Sequence, residues 1–252
     1  KYLAALISDE CWQATPGKVV DLIRNIGIAA GGTVMEDCRV IEAVRDGKYT
    51  SVLVSTHDKQ YIEYRTEHFV NALGSGAGKL CDSMGIDAGL YPVRHQAFIT
   101  RRLPMLGKNG ANLDMLIDRQ DYKGFSAVYG QQIAYTGQII GCASPKLDAM
   151  RIDKNLKLNT KAFLEIVSEM FVEWIPDLAG VGIQAVWAGY YTEPRYIVDP
   201  ELGLFVGMRG HGFMLSQYIA KMYVDKLMGR PVPEYFDKLK LNGPGLSEKA
   251  FK

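Results

Sequence analysis

Apolar residues recur along this chain with two periods, and the changes between them lay out the elements. Behind Thr15-Pro16, the residues Val19, Val20, Ile23 and Ile26 fall at helical spacing and stop at Gly31-Gly32. That pattern predicts a helix with a threonine cap and a proline in its first turn. From Thr33 to Arg45 the period drops to two and ends at Asp46-Gly47, a dipeptide suited to a tight hairpin. Thr50 to Thr56 is expected to pair back and Tyr61 to Arg65 to add a third strand. Phe69 to Leu73 is a short run expected to be buried, and it gives way to Gly74-Ser75-Gly76-Ala77-Gly78.

Ala97 to Cys142 predicts several strands, including Met115 to Asp118 and Ile133 to Thr136, in a sheet that could floor a pocket. Asn159 is expected to cap a helix with Phe163, Val167, Met170 and Trp174 on one face and Lys161, Glu165, Glu169 and Glu173 on the other, ending before Pro176. Gln184 to Tyr191 follows, then Leu204 to Gly207 as a buried strand, a turn at Gly210 and Gly212, and a helix from Phe213 to Met228 stopped by Gly229. Pro231 and Pro233 open an expected irregular tail, residues 231–252. Repeats and low-complexity tracts are absent from the sequence.

Composition narrows the function classes. A chain of 252 residues can bury a sizeable core. Its 29 Lys and Arg against 28 Asp and Glu leave a net charge of +1, which argues against a nucleic-acid partner. Neither an export signal nor an apolar run long enough to span a bilayer is present in the sequence, so a cytoplasmic setting is expected. Cys11, Cys38, Cys81 and Cys142 are widely spaced, as are the four histidines, which favours reduced thiols and no metal site.

Two glycine clusters carry candidate chemistry. Gly74 to Lys79 is not a Walker loop, because Leu80 follows the lysine, and it lacks the third glycine of a dinucleotide fingerprint. It reads as a turn that lets a ligand or strand come close. At Gly210 and Gly212 the order is strand, turn, helix, and the first N–H groups of such a helix carry partial positive charge that can receive an electron-rich group.

Trp187-Ala188-Gly189-Tyr190-Tyr191 followed by Gly210-His211-Gly212-Phe213-Met214-Leu215 resembles the carboxy-terminal signature of the FAD-dependent amine oxidoreductases. That family includes D-amino acid oxidase, glycine and sarcosine oxidases and dye-linked L-proline dehydrogenase. Tyr91-Pro92-Val93-Arg94-His95-Gln96 is similar to the family's Pro-Val-Arg-Gly-Gln entry into the substrate domain, with His95 replacing glycine. The change is expected to strain the backbone if glycine's wider range of angles is needed there.

The resemblance implies an α/β (α+β) fold, an incomplete FAD-binding domain of the glutathione-reductase type interleaved with a mostly antiparallel substrate domain. Residues 1–90 would form the second part of the FAD-binding domain, 91–183 the substrate domain, and 184–230 the return to the FAD-binding domain. It places Arg39 and Val40 near the adenine, Ala72, Leu73, Gly74 and Ser75 along the cofactor, and Gly210, His211, Gly212, Phe213 and Met214 against the flavin ring. Family members also open with Gly-x-Gly-x-x-Gly, which this sequence lacks. The chain opens on Lys1 in mid-pattern, so a missing amino-terminal segment or a separate subunit is the expected partner. FAD belongs to the complete protein, and this chain alone is expected to hold it weakly and to be inactive.

By the same resemblance the activity is oxidation of the C–N bond of a small amine or amino acid by hydride transfer to flavin. Amino-acid oxidases carry an arginine just after Trp-Ala-Gly, where Tyr190 and Tyr191 stand here; Arg195, Arg209 or Arg94 could bind a substrate carboxylate instead. No residue is singled out as catalytic. The alternative is a noncatalytic structural subunit that keeps the fold without FAD.

Overall fold

The computed structural model describes residues 12–108, 110–145 and 160–245. The chain divides into two compact units, Lys1–His68 and Phe69–Lys252. In the first, helix α1 (Pro16–Ala29) precedes an antiparallel meander of β1 (Arg39–Asp46), β2 (Tyr49–Ser55) and β3 (Tyr61–Thr66). Pro16 occupies the first turn as expected, but the Thr15 side chain makes no cap bond; its carbonyl accepts from the Val19 N–H at 3.2 Å. Gly31, at φ +93°, ends the helix. Asp46 pairs with Tyr49 around Gly47, at φ +61°, which is the hairpin the sequence predicts. The strand starts at Arg39 rather than Thr33, after Asp37 takes a left-handed φ of +53° that breaks the extended run. Thr50, Val52 and Val54 of β2 are buried with Ala43 of β1.

The second unit holds a five-stranded antiparallel sheet in the order β5 (Leu116–Asp118), β6 (Phe125–Gln132), β7 (Ile139–Pro145), β4 (Tyr91–Thr100), β8 (Ile183–Glu193). Helix α3 (Thr160–Trp174) covers one face, and Phe163, Val167, Met170 and Phe171 close on Phe98, Val128, Ile139 and Ala143. Glycines fit the large rings into this layer: a Cβ at Gly130 would stand 2.3 Å from the Phe171 ring, and one at Gly141 would stand 2.4 Å from Phe98. The apolar stripe of α3 is core, as its spacing predicts; Asn159, the expected cap, lies outside the described residues.

Ile133 to Thr136 is a turn and not a strand. The Ile133 N–H donates to the Gln138 carbonyl at 2.8 Å and the Ile133 carbonyl accepts from Gly137, which closes the β6–β7 hairpin and leaves Tyr135 in solvent. Phe69 to Leu73 is likewise not a buried run. Val70 and Leu73 are exposed, and the polar Asn71 is the residue buried, at 1% exposure.

The rest of the unit comprises α2 (Ala77–Ser83), the hairpin of β9 (Ile197–Asp199) with β10 (Leu204–Val206), and α4 (Gly212–Leu227). Leu204 and Val206 are buried, as expected, and Gly229 at φ +69° follows α4. The segment beyond Pro233 is more ordered than its prolines suggest: Glu234–Leu239 forms a short 3-10 helix whose Phe236 and Leu239 pack with Tyr223 and Val198. Cys81 and Cys142 are buried free thiols and Cys38 is a half-buried one, whereas Cys11 lies outside the described residues. Among the described residues no helix is long and apolar enough to cross a membrane.

Candidate functional site

Asn71 explains how two distant turns come together in the second unit. Its N–H donates to the Gly203 carbonyl at 2.7 Å and its carbonyl accepts from Phe205 at 3.0 Å, pinning it beside β10. Its side-chain amide donates to the Ala77 carbonyl at 3.0 Å, while Oδ1 accepts from Leu73 at 3.2 Å, which folds the chain back through Gly74 at φ +55°. An asparagine supplies both a donor and an acceptor for this, which the apolar residues around it do not.

The result is a pocket of about 270 Å³. Ala72 and Gly74 form one wall, Tyr190, Tyr191 and Thr192 at the end of β8 a second, and Phe205, Val206, Gly207, Met208 and Arg209 a third. Of the residues singled out in the sequence, Ala72, Gly74, Tyr190, Tyr191 and Arg209 therefore converge. Leu73 and Ser75 belong to the same turn without lining the pocket, and Arg39 and Val40 open β1 in the other unit.

The corner between β10 and α4 owes its shape to residues other than the two expected glycines. Gly207 (φ +72°) and Arg209 (φ +49°) take the left-handed conformations, and Gly210 and Gly212 do not. A Cβ on Gly207 would stand 1.9 Å from the Arg195 carbonyl oxygen. At Gly212 it would meet the Met208 Cβ at 2.9 Å, and at Gly210 the Tyr191 ring at 2.8 Å. His211 precedes α4 with its Nδ1 at 2.9 Å from the Tyr196 hydroxyl, so the helix start carries no side-chain cap. Phe213 and Met214 are 46% and 67% exposed, and the first N–H groups of a helix have no partner within it.

The three candidate arginines have distinct settings. Arg209 donates through Nε to Glu193 Oε2 at 2.6 Å, with both side chains largely shielded from solvent. Arg195 donates to the carbonyls of Gly243 (3.0 Å) and Leu241 and thereby holds the carboxy-terminal segment. Arg94 is buried in β4, in register with Tyr190.

Its neighbour His95 sits comfortably in the strand, with no left-handed φ, so the departure from glycine costs no strain. The imidazole stacks on the Tyr191 ring at 3.9 Å, and the Tyr191 hydroxyl lies 3.2 Å from that of Tyr129. His95 Nδ1 is a buried nitrogen without a hydrogen-bond partner. Burial lowers the His95 pKa to about 4 and raises those of Tyr129 and Tyr191, so near neutrality the belt is uncharged. Cys142, paired in register with Tyr129, has its thiol pushed up to about 11 by burial. Sequence reasoning missed Thr192, Glu193, Tyr129 and the Phe205–Met208 wall, because 62 residues separate Tyr129 from Tyr191 and only the sheet register joins them.

These walls fit a flat heteroaromatic ring. A Cβ at Gly74 would find nothing within 4 Å, so this left-handed glycine presents bare backbone to open space, and no protein side chain competes for it. Aromatic and backbone surface with few charges is the usual lining of such sites.

The chain is similar in fold to L-proline dehydrogenase from P. horikoshii, with a TM-score of 0.70, 23% identity, and coverage of 90% of this chain and 59% of that one. It also resembles iminodiacetate oxidase from Chelativorans sp. (TM-score 0.67, 16% identity, 90% and 58% covered) and glycine oxidase from Geobacillus kaustophilus (0.61, 18%, 85% and 54%). It thus spans less than two thirds of each of these proteins. No curated protein sequence matches it. The family model described as FAD dependent oxidoreductase matches residues 1–226, and the chain belongs to that family.

Proposed function

We propose that the complete protein oxidises the C–N bond of a small amine or amino acid by hydride transfer to FAD. The observation that carries this reading is the meeting of the 72–74 turn, the Tyr190-Tyr191 strand end and the 205–209 corner around one pocket. Bound FAD would supply the hydride acceptor. The chain's own part is binding and electrostatics: Ala72, Gly74 and the 207–209 corner would hold the ring. The uncapped N–H groups of Gly212, Phe213 and Met214 would face the charge it gains. Arg39 and Val40 would serve the adenine end, so that residues 1–90 and 184–230 act as the cofactor domain and 91–183 as the substrate domain.

For the substrate, Tyr190 and Tyr191 supply hydroxyls, and Arg209 is the pocket's guanidinium, though Glu193 already offsets its charge. A small N-methylated or cyclic amino acid suits that balance better than a bulky D-amino acid. Names of similar proteins agree in class, since they include an L-proline dehydrogenase and a glycine oxidase. Free buried thiols at Cys81 and Cys142 suit the cytoplasmic setting we assign.

A second reading, a noncatalytic subunit, draws on one observation, that the 252 residues contain no Gly-x-Gly-x-x-Gly. Anaerobic titration of the full-length flavoprotein with proline, N-methylglycine and glycine decides between them. Bleaching of the flavin band by one of the three is expected; a flavoprotein that none of them, nor a wider panel of amines, reduces would refute the enzyme reading.

A further inference from the structure

Gly210 has no conformational need to be glycine, because its φ is not left-handed. What a side chain there would meet is Tyr191: a Cβ would lie 2.8 Å from Cε2, 3.4 Å from Cζ and 3.5 Å from Cδ2 of the ring. A ring at the end of a flexible side chain could ordinarily swing away. This one is stacked on His95 at 3.9 Å with an interplanar angle of 28°, and its hydroxyl lies 3.2 Å from the Tyr129 hydroxyl. Moving it breaks two contacts made by residues of two other strands, β4 and β6. The same ring lines the pocket.

We propose that Gly210 is bare in order to seat the Tyr191 ring, and that Tyr191, held by Gly210, His95 and Tyr129, is a fixed aromatic wall that sets the upper size of the amine substrate. In these terms Tyr191 determines specificity, while Gly210 and His95 are positioning residues. The inference rests on the amine-oxidising reading for the substrate, but the seating of the ring stands on geometry alone. It also differs from the role that cofactor approach would give Gly210, since cofactor contact would make Gly210→Ala harmful whatever stands at position 191.

The test is a double-mutant cycle on the full-length flavoprotein with Gly210→Ala, Tyr191→Ala and both. Displacement of a positioned group by a fraction of an ångström is expected to raise KM for N-methylglycine or proline about tenfold in Gly210→Ala, with kcat changed less. In the Tyr191→Ala background the same substitution should change KM by less than about twofold. Tyr191→Ala alone should shift kcat/KM towards a bulky amine such as N-benzylglycine by about tenfold or more relative to N-methylglycine. FAD affinity, read by fluorescence titration, should be alike in Gly210→Ala and the parent. Additive effects of the two substitutions, equal loss of FAD in both backgrounds, or no shift towards the bulky amine would each overturn the proposal. If Gly210→Ala alone does not fold, recovery of folding by adding Tyr191→Ala supports the clamp and continued failure overturns it. Should no amine reduce the flavin, the functional reading fails, while melting temperatures of the four proteins still decide whether positions 191 and 210 are coupled.

Discussion

His95 shows how a single buried ring couples the site to pH. Its imidazole is desolvated against Tyr191 and its pKa falls to about 4 from a reference of 6.5. The unfolded chain therefore binds a proton near pH 6.5 that the folded chain refuses until about pH 4. Stability is full above pH 6.5 and is lost as pH falls through that window, by up to about 3 kcal/mol. Denaturant midpoints from pH 7 to pH 4 check this, and His95→Gln should flatten the decline; an unchanged slope would contradict the assignment. At Gly207 the constraint is steric. With φ +72° and the Arg195 carbonyl 1.9 Å from any added Cβ, Gly207→Ala is expected to cost at least about 3 kcal/mol in chemical denaturation.

Helices α3 and α4 were legible because a 3.6-residue stripe is local: Phe163, Val167 and Met170 announce their burial from within one helix. Phe163→Ala is accordingly expected to destabilise by about 3–5 kcal/mol, read from the urea midpoint at constant slope. The meander of β1 to β3 was legible through Asp46-Gly47 for the same local reason. Sheet order was not. β4 pairs with β7 and β8, far along the chain, and no short-range signal distinguishes the strand β6 from the equally apolar Ile133 to Thr136 turn that follows it. At the site, the Trp-Ala-Gly-Tyr-Tyr and Gly-His-Gly segments could be recognised as motifs, yet the reason for Gly210 lies in a ring nineteen positions back that only the fold brings near. The buried asparagine at position 71 escaped for a similar reason, since polarity argues for exposure until its hydrogen-bond partners are known.

For the whole molecule the question is how strongly this chain holds its cofactor. Helix α1 has 14 residues and none is buried, with Val20 and Ile26 about 60% exposed. A helix of that length without a packed face is marginal in water, so its amides should exchange much faster than those of α3. The walls at Ala72, Gly74 and 205–209 can seat a ring, but a Gly-x-Gly-x-x-Gly turn for the pyrophosphate is not among the 252 residues. Each charge-assisted hydrogen bond contributes about 1.5–3 kcal/mol, and losing two weakens binding by about 10² to 10⁴-fold. Starting from a nanomolar site, that loss leaves the isolated chain with a Kd for FAD of about 0.1–10 µM. Flavin fluorescence quenching on titration of the purified chain measures it directly. Stoichiometric FAD carried through purification would mean that the ring-side contacts alone suffice, and that the glycines and aromatic wall of the second unit contribute far more than their hydrogen bonds suggest.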